Sequence, residues 1–402
     1  MHAPHLVERY GSPLYTYDLS VLRAAHADLV AQLPAAGTLL YSVKANPHPE
    51  LIRELYRVGC GVEVSSTGEL DAALSAGVPP AGILHNGPAK TRAELEHALA
   101  AGVRLFSVDS AAQLARLGHV AAQHGVTADA LLRVNGDTAP AGAGLAMTGT
   151  ASQFGVDAGH VAADPDAFAH DHVTVKGLHF YLGTNVADEA DLIATFRTAL
   201  EVTAALRPVL RRPVEVLDLG GGFAAPYARA GRRTRYPGLR AALEDLLGTH
   251  APDRPRVLFE SGRYLTAECG RLAATVQDVK QSKGRTFVLL DSGINHLGGM
   301  AGLRRVPPLV PQLSADRPDA PDVTCDVVGP LCTPLDAWSR GVTLPDLRAG
   351  DVVEVPNVGA YGLSGSLIGF LSHEPPAEVV LDGDTVVHAS RLSLVRTEQK
   401  GR

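Results

Sequence analysis

The sequence predicts an α/β + β architecture, a (β/α)8 barrel followed by a C-terminal β domain, and three observations carry that expectation. First, eight apolar runs of strand length recur at residues 38–44, 61–66, 82–86, 105–109, 130–135, 175–182, 214–220 and 256–261. Second, amphipathic stretches separate them, at 49–58, 91–101, 110–123, 189–206 and 238–247; Leu51, Ile52, Leu55 and Val58 show the helical spacing. Eight strands alternating with helices over about 250 residues fit a closed barrel better than an open doubly wound sheet. Third, the texture changes after Ser261. Residues 275–280, 286–291, 322–328, 351–355 and 377–381 read as strands joined by turns containing Gly and Pro. The extended stretch Pro13-Leu14-Tyr15-Thr16-Tyr17 precedes the first helix and is expected to pair with this tail. The expected division is therefore 1–20 as an N-terminal strand joined to the β domain, 21–265 as the barrel and 266–402 as the β domain.

Composition narrows the class of function. With 46% hydrophobic and 20% charged residues among 402, the chain is globular and not disordered. A net charge of −7 without a basic run argues against nucleic acid or an anionic membrane as partner. No apolar run approaches the roughly 20 residues that span a bilayer, and Met1–His5 lacks the basic and apolar regions of a signal peptide. Cys60, Cys269, Cys325 and Cys332 are scattered, without metal-ligand or disulfide-framework spacing. A cytoplasmic protein with no metal is expected.

In a barrel, reactive groups gather where strands end at the C-terminal face. The first run ends in Tyr41-Ser42-Val43-Lys44-Ala45-Asn46, the second in Glu63-Val64-Ser65-Ser66, the third in His85-Asn86-Gly87-Pro88. Asp109 follows the fourth, Arg133 and Asn135 the fifth, and His179, Tyr181 and Gly183-Thr184 the sixth. The seventh opens into Gly220-Gly221-Gly222 and the eighth into Glu260-Ser261-Gly262-Arg263. Loops after strands seven and eight are a recurrent phosphate site, and consecutive glycines let backbone N–H groups close on an anion. A lysine closing an apolar strand, as Lys44 does, is costly unless paired or used covalently, and desolvation makes its amine nucleophilic. Lys44, a phosphate grip and the Glu260 carboxylate together suit pyridoxal 5'-phosphate: a Schiff-base lysine, a cradle, and an acid for the pyridine nitrogen.

The motif Tyr41–Asn46 resembles the cofactor-lysine motif of the fold-type III pyridoxal-phosphate decarboxylases, the diaminopimelate and ornithine decarboxylase family. The resemblance extends through Glu63–Leu70, Ser152-Gln153-Phe154-Gly155, Leu217–Phe223, Glu260–Tyr264, Gly329-Pro330-Leu331-Cys332 and Gly359-Ala360-Tyr361-Gly362. It implies the alanine racemase/diaminopimelate decarboxylase-like fold. It further implies that Lys44 binds the cofactor covalently and that Glu260 pairs with the pyridine nitrogen. Gly220, Gly221, Gly222, Gly262, Arg263 and Tyr361 would hold the phosphate, with Thr184 where the family usually has serine. Glu63, Arg133, His179 and Tyr181 complete the expected cofactor contacts. Cys332 matches the cysteine that crosses a homodimer interface to reprotonate the substrate carbon, and Asp336 matches an acid of the same partner loop.

Three departures bear on the substrate. Tyr181 stands where the family has its ring-stacking histidine, with His179 two residues earlier. Thr333 follows Cys332 in place of an acid that reads a distal amine, and Asn295-His296-Leu297-Gly298-Gly299 lacks the arginine that reads a distal carboxylate. Thr333, Asp336 and His296 are the expected substrate contacts. The run Gly369–Val379 resembles the secondary-metabolism branch, which includes decarboxylases of amino acids tethered to an acyl carrier protein. The expected reaction is α-decarboxylation, with an acidic aminoacyl thioester as substrate. The alternative is meso-diaminopimelate, with Arg304 or Arg305 replacing the missing arginine; racemisation is less favoured.

Overall fold

In the computed structural model, residues 2–136, the backbone of 145–146, and residues 152–300 and 309–398 are described. The chain divides into two compact units. One comprises Arg23–Ala225 and Arg233–Leu265; the other comprises Met1–Leu22, Pro226–Arg232 and Thr266–Arg402. The sequence expectation contained no counterpart of the excursion Pro226–Arg232.

The first unit is a closed barrel of eight parallel strands: Gly37–Ser42, Gly61–Val64, Ile83–His85, Leu105–Val108, Ala128–Asn135, Val173–His179, Val216–Asp218 and Arg256–Ser261. The eighth closes on the first, with Ser261 opposite Tyr41. Short polar residues start the intervening helices. Ser66, Ser110 and Asp188 accept the backbone N–H three residues on, and Thr91 with Glu94 forms a full capping box.

Strand periodicity builds the interior. Leu40, Leu84, Leu131 and Leu258 form a buried cluster, with Leu105 and Val216 packed against it. Two residues further along each strand, on the same face, stand Ser42, Asn86, Arg133, Glu260, Ser107 and Asp218. An apolar layer thus carries a polar layer at the C-terminal ends of the strands. Gly61 and Gly177 precede Glu63 and His179 by the same step. A Cβ on Gly61 would fall 2.5 Å from Leu40 Cδ2, so the apolar layer has no room for a side chain there.

In the second unit, Leu14–Asp18 lies between Gly270–Ser282, antiparallel, and Ala377–Asp382, parallel. Leu6, Leu14, Ala273, Ala377, Val379 and Leu381 pack beneath this sheet. Beyond Gly270–Ser282 the order continues through Arg285–Leu290, Asp322–Val328 and Ala337–Pro345, while Val352–Pro356 also pairs with Gly270–Ser282. Ala337–Pro345 and a further strand, Thr385–Arg391, which pairs antiparallel with Ala377–Asp382, had no sequence signal. Ala337–Pro345 breaks its alternation with exposed Arg340 and Gly341, and Thr385–Arg391 is an edge strand of mostly exposed residues. Among the described residues, no helix is long and apolar enough to cross a membrane.

Candidate active site

Lys44 lies in a single 3-10 turn, Val43–Ala45, directly after the first barrel strand. Its side chain is 38% exposed and its Nζ is 3.6 Å from Glu63 Oε2. Glu63 is fully buried; Ser65 Oγ and Asn86 Nδ2 donate to its Oε1 at 3.2 and 3.1 Å. Burial pushes the Glu63 carboxyl up, but the Lys44 charge and hydrogen bonds from Ser42, Asn86 and Ser65 outweigh it and hold the group below its ordinary value. The Tyr181 ring faces the same amine, 5.3 Å from Nζ to centroid. Arg133 stacks on Phe154 at 4.8 Å and approaches Tyr181 at 5.9 Å.

Deeper in the barrel, His179, Asp218 and Glu260 bring ligand atoms within 4.8 Å of one another, all buried. His179 Nε2 is 3.5 Å from Glu260 Oε1. Among the described residues, neither Glu260 oxygen, nor Asp218 Oδ2, nor His179 Nε2 has a hydrogen bond. Burial, then the nearby Glu63 and Asp218 carboxylates, push Glu260 well above the carboxylate range against the opposing charges of Lys44 and Arg133. Burial likewise raises Asp218 to about 7, despite the Gly220 N–H that its Oδ1 accepts at 2.8 Å. One imidazole and two carboxyls have the composition of a small cation site, yet the charges of Lys44 and Arg133 oppose a divalent ion. A single ring N–H entering from the mouth fits the unpaired oxygens better.

The glycine run is compelled by close approach. Glu260 N donates to Gly220 O at 2.7 Å, and a Cβ on Gly221 would lie 2.1 Å from Glu260 O. Gly220 and Gly222 adopt φ of 68° and 111°. Thr184 sits on the short strand Gly183–Thr184, and a Cβ on Gly222 would lie 3.2 Å from Gly183 O. Gly262 closes against the Lys44 turn, where a Cβ would meet Ala45 Cβ at 2.7 Å, and Arg263 opens the following helical turn. The barrel therefore brings together Lys44, Glu63, Arg133, His179, Tyr181, Gly220–Gly222, Glu260 and Gly262, with Thr184 and Arg263 on adjoining loops.

Four further polar groups at this end of the barrel had no assigned role in the sequence. Ser107 was detectable only as a polar residue two positions after an apolar interior residue, whereas Asp218 lies within the Leu217–Phe223 motif without a role of its own. Buried Lys90 donates to Gln113 Oε1 at 3.2 Å and to Gly87 O; burial lowers it to about 8. Asp109 Oδ1 accepts Gly155 N–H at 2.8 Å, anchoring the Ser152–Gly155 loop.

The second unit holds the remaining candidates. Cys332 is exposed, and Thr333 beside it accepts Leu335 N–H at 3.3 Å. Tyr361 has φ of 54° and its carbonyl accepts the Tyr227 hydroxyl at 2.8 Å. Two of the expected substrate contacts are turned inward in this chain. Asp336 does not present its carboxylate: it is 3% exposed and accepts Ile294 and Leu331 N–H groups at 2.9 and 2.8 Å, tying two loops together. His296 is 2% exposed, with its ring against Ser292 and Asn295 and its carbonyl accepting Tyr15 Oη–H, so it also serves the fold of its loop. Arg304 and Arg305 lie outside the described residues.

The Asp218 environment sets a pH signature. Between about pH 4 and 7 the native carboxyl retains a proton that the unfolded chain has released. Its contribution to stability therefore falls as pH rises through that window, by at most about 1.4 kcal/mol per pH unit. Asp218→Asn keeps the acceptor for Gly220 and should flatten this slope. Urea melts of both proteins from acid to neutral pH measure it; parallel slopes would show that Asp218 ionises normally.

The family model described as "Pyridoxal-dependent decarboxylase, pyridoxal binding domain" matches residues 19–267. The L-glutamyl-[BtrI acyl-carrier protein] decarboxylase of Niallia circulans is 32% identical over 386 residues, covering 93% of this chain and 90% of that protein. The diaminopimelate decarboxylase of Zymomonas mobilis is 29% identical over 411 residues, covering 99% and 95%. Among solved structures, the diaminopimelate decarboxylase of M. jannaschii in complex with L-lysine superposes with a TM-score of 0.85 at 26% identity, covering 96% of this chain and 90% of that one. With its barrel, β domain and lysine-centred mouth, the chain belongs to the fold-type III pyridoxal-phosphate-dependent amino-acid decarboxylases.

Proposed function

We propose that this enzyme removes the α-carboxylate of an acidic amino acid carried as a thioester on a carrier protein. The observation that carries the reading is its similarity to a carrier-protein glutamyl decarboxylase along nearly the whole chain, together with two motif positions that lack the usual charged handles for a free substrate's far end. Thr333 replaces an acid, and the Asn295–Gly299 run offers no arginine. A charged tail buried without a partner costs several kcal/mol; a thioester has lost that charge. Free meso-diaminopimelate is the second reading, favoured by the diaminopimelate decarboxylases among the relatives.

The cofactor fits the residues present. Glu260 offers two buried oxygens without hydrogen bonds among the described residues, and Gly220 and Gly221 lie so close to the Phe180 and Glu260 carbonyls that a side chain there would clash, which keeps this loop bare backbone. Bound there, pyridoxal phosphate supplies an electron sink for the pair released as CO2 leaves. The chain's own groups do the rest. Lys44 Nζ, held by Glu63, is the covalent anchor, and Tyr181 and Arg133 flank it. Glu260 pairs with the ring nitrogen. Gly220–Gly222, Gly262, Arg263, Thr184 and Tyr361 are assigned to the phosphate. Cys332 Sγ is assigned delivery of the proton to the α-carbon in a homodimer. Its exposure, beside a Leu335 that is 77% exposed, is what a contact residue requires.

Three outcomes test these assignments. Carbon dioxide release should be faster from glutamyl- or aspartyl-carrier thioester than from free diaminopimelate, lysine or ornithine; turnover of free diaminopimelate with none on the thioester defeats the carrier reading. Gly221→Ala forces the Glu260 carbonyl away and should weaken cofactor affinity by about tenfold or more, roughly 1.4 kcal/mol, measured by absorbance titration; an unchanged affinity removes the glycine cradle from the phosphate. Mixed Lys44→Ala and Cys332→Ala subunits should regain activity in heterodimers. Failure despite proven subunit exchange would place both residues in one subunit's site or make Cys332 dispensable.

A further inference from the structure

Behind Glu260 lies a hydrogen-bonded pair that no motif singled out. Ser107, on the fourth barrel strand, and His179, on the sixth, are both fully buried, and Ser107 Oγ lies 2.7 Å from His179 Nδ1. Across the ring, Nε2 faces Glu260 Oε1 at 3.5 Å. The two neutral tautomers differ sharply in what they leave unsatisfied. With hydrogen on Nδ1, the ring would donate to Ser107, and the serine proton would have no acceptor among the described residues. A bare Nε2 lone pair would also repel the Glu260 oxygen whenever that carboxyl is ionised. With Ser107 donating to Nδ1, the hydrogen sits on Nε2 and points at Glu260. This second arrangement gives the serine proton an acceptor and aims a donor at Glu260.

We propose that Ser107 and His179 are positioning residues for Glu260: the serine selects the Nε2–H tautomer, and that N–H orients the carboxylate and keeps it ionised toward a ring nitrogen. The proposal rests on the assignment of Glu260 to the cofactor's pyridine nitrogen. A shift of about half an ångström brings the 3.5 Å separation to hydrogen-bond length, and such contacts commonly tighten when a site fills. The groups facing the imidazole are Ser107, Asp218 and Glu260. Burial, then the charges of Arg133, Lys44 and Lys90, hold it well below the usual histidine range and therefore neutral. A neutral ring is required, because an imidazolium would form its own ion pair with Glu260 and compete with the cofactor. Tyr181, two residues on and half-buried, is the one that faces Lys44. The two aromatic positions therefore have separate tasks.

Nitrogen-15 NMR of the full-length, cofactor-free protein with labelled histidine tests the tautomer directly. His179 should show the Nε2–H form without titrating from about pH 5.5 to 8.5. Ser107→Ala should remove that preference and Ser107→Thr should restore it; an Nδ1–H form, or an imidazolium within this range, overturns the proposal. In holoenzyme carrying ring-labelled cofactor, the pyridine nitrogen should be protonated. It should lose protonation in Ser107→Ala and His179→Leu but keep it in His179→Gln, whose amide returns a donor near the Nε2 position. In both losing variants kcat should fall about tenfold with KM little changed. Glu260→Gln separates the two claims. If it leaves the ring nitrogen protonated, the Glu260 assignment fails whatever the tautomer. If it deprotonates the nitrogen while Ser107→Ala and His179→Leu do not, the positioning role fails and the assignment stands.

Discussion

Charge held out of water is the constraint on which the barrel mouth depends. Glu63, His179, Asp218 and Glu260 are all inaccessible to solvent, and an isolated buried charge costs far more than a folded domain can spare. Each group therefore takes its protonation state from the others. Glu63 is kept ionised by Lys44 and three hydrogen bonds, whereas Glu260, with no hydrogen bond and two carboxylates nearby, is driven toward the neutral form. Two glutamates of one layer thus serve opposite ends. One is a counter-charge for the amine; the other is an unsatisfied acceptor that a protonated ring nitrogen would stabilise.

Precise placement of these groups comes from the strands. A period of two puts the polar layer one step above the apolar layer, so the packing of Leu40, Leu84, Leu131 and Leu258 positions Ser42, Asn86, Arg133 and Glu260. Rigid strands carry Glu63, His179, Asp218 and Glu260, while a loop carries the Gly220–Gly222 backbone. The contact of Gly221 with the Glu260 carbonyl joins the two. A change in either loop or strand is therefore felt at the other, without any need for flexibility between them.

Substrate recognition follows a different logic. In the β unit, Asp336 uses its carboxylate to bind the Ile294 and Leu331 backbones together, which sets the loop from which Cys332 projects. An acidic side chain near a cysteine motif thus serves here as a loop staple. Asp336 and His296 are both turned inward, so neither presents a charge to solvent in this unit. That is consistent with a substrate whose far end is neutral and continues away from the reacting carbon.

Much of this was legible in the chain. The eight barrel strands have apolar runs that local periodicity reveals, although the seventh shortens to Val216–Asp218. Lys44, Glu260 and the glycine run were identifiable because their residue types are costly or rare at strand ends without a purpose. Thr385–Arg391 was not legible, because an edge strand exposed along most of its length has no apolar alternation to read. Nor was the excursion Pro226–Arg232, which is joined to the β unit by contacts such as Ala228 N–H to Asn357 O at 3.1 Å. The site shows the same division. Residue type and order alone marked the lysine, the acid and the anion loops. Whether Asp336 and His296 face out or in, which of His179 and Tyr181 meets the lysine, and that Ser107 lies behind the histidine were decided by tertiary packing. Those facts depend on which strands become neighbours across a closed barrel and which loops press together, and a one-dimensional pattern carries neither.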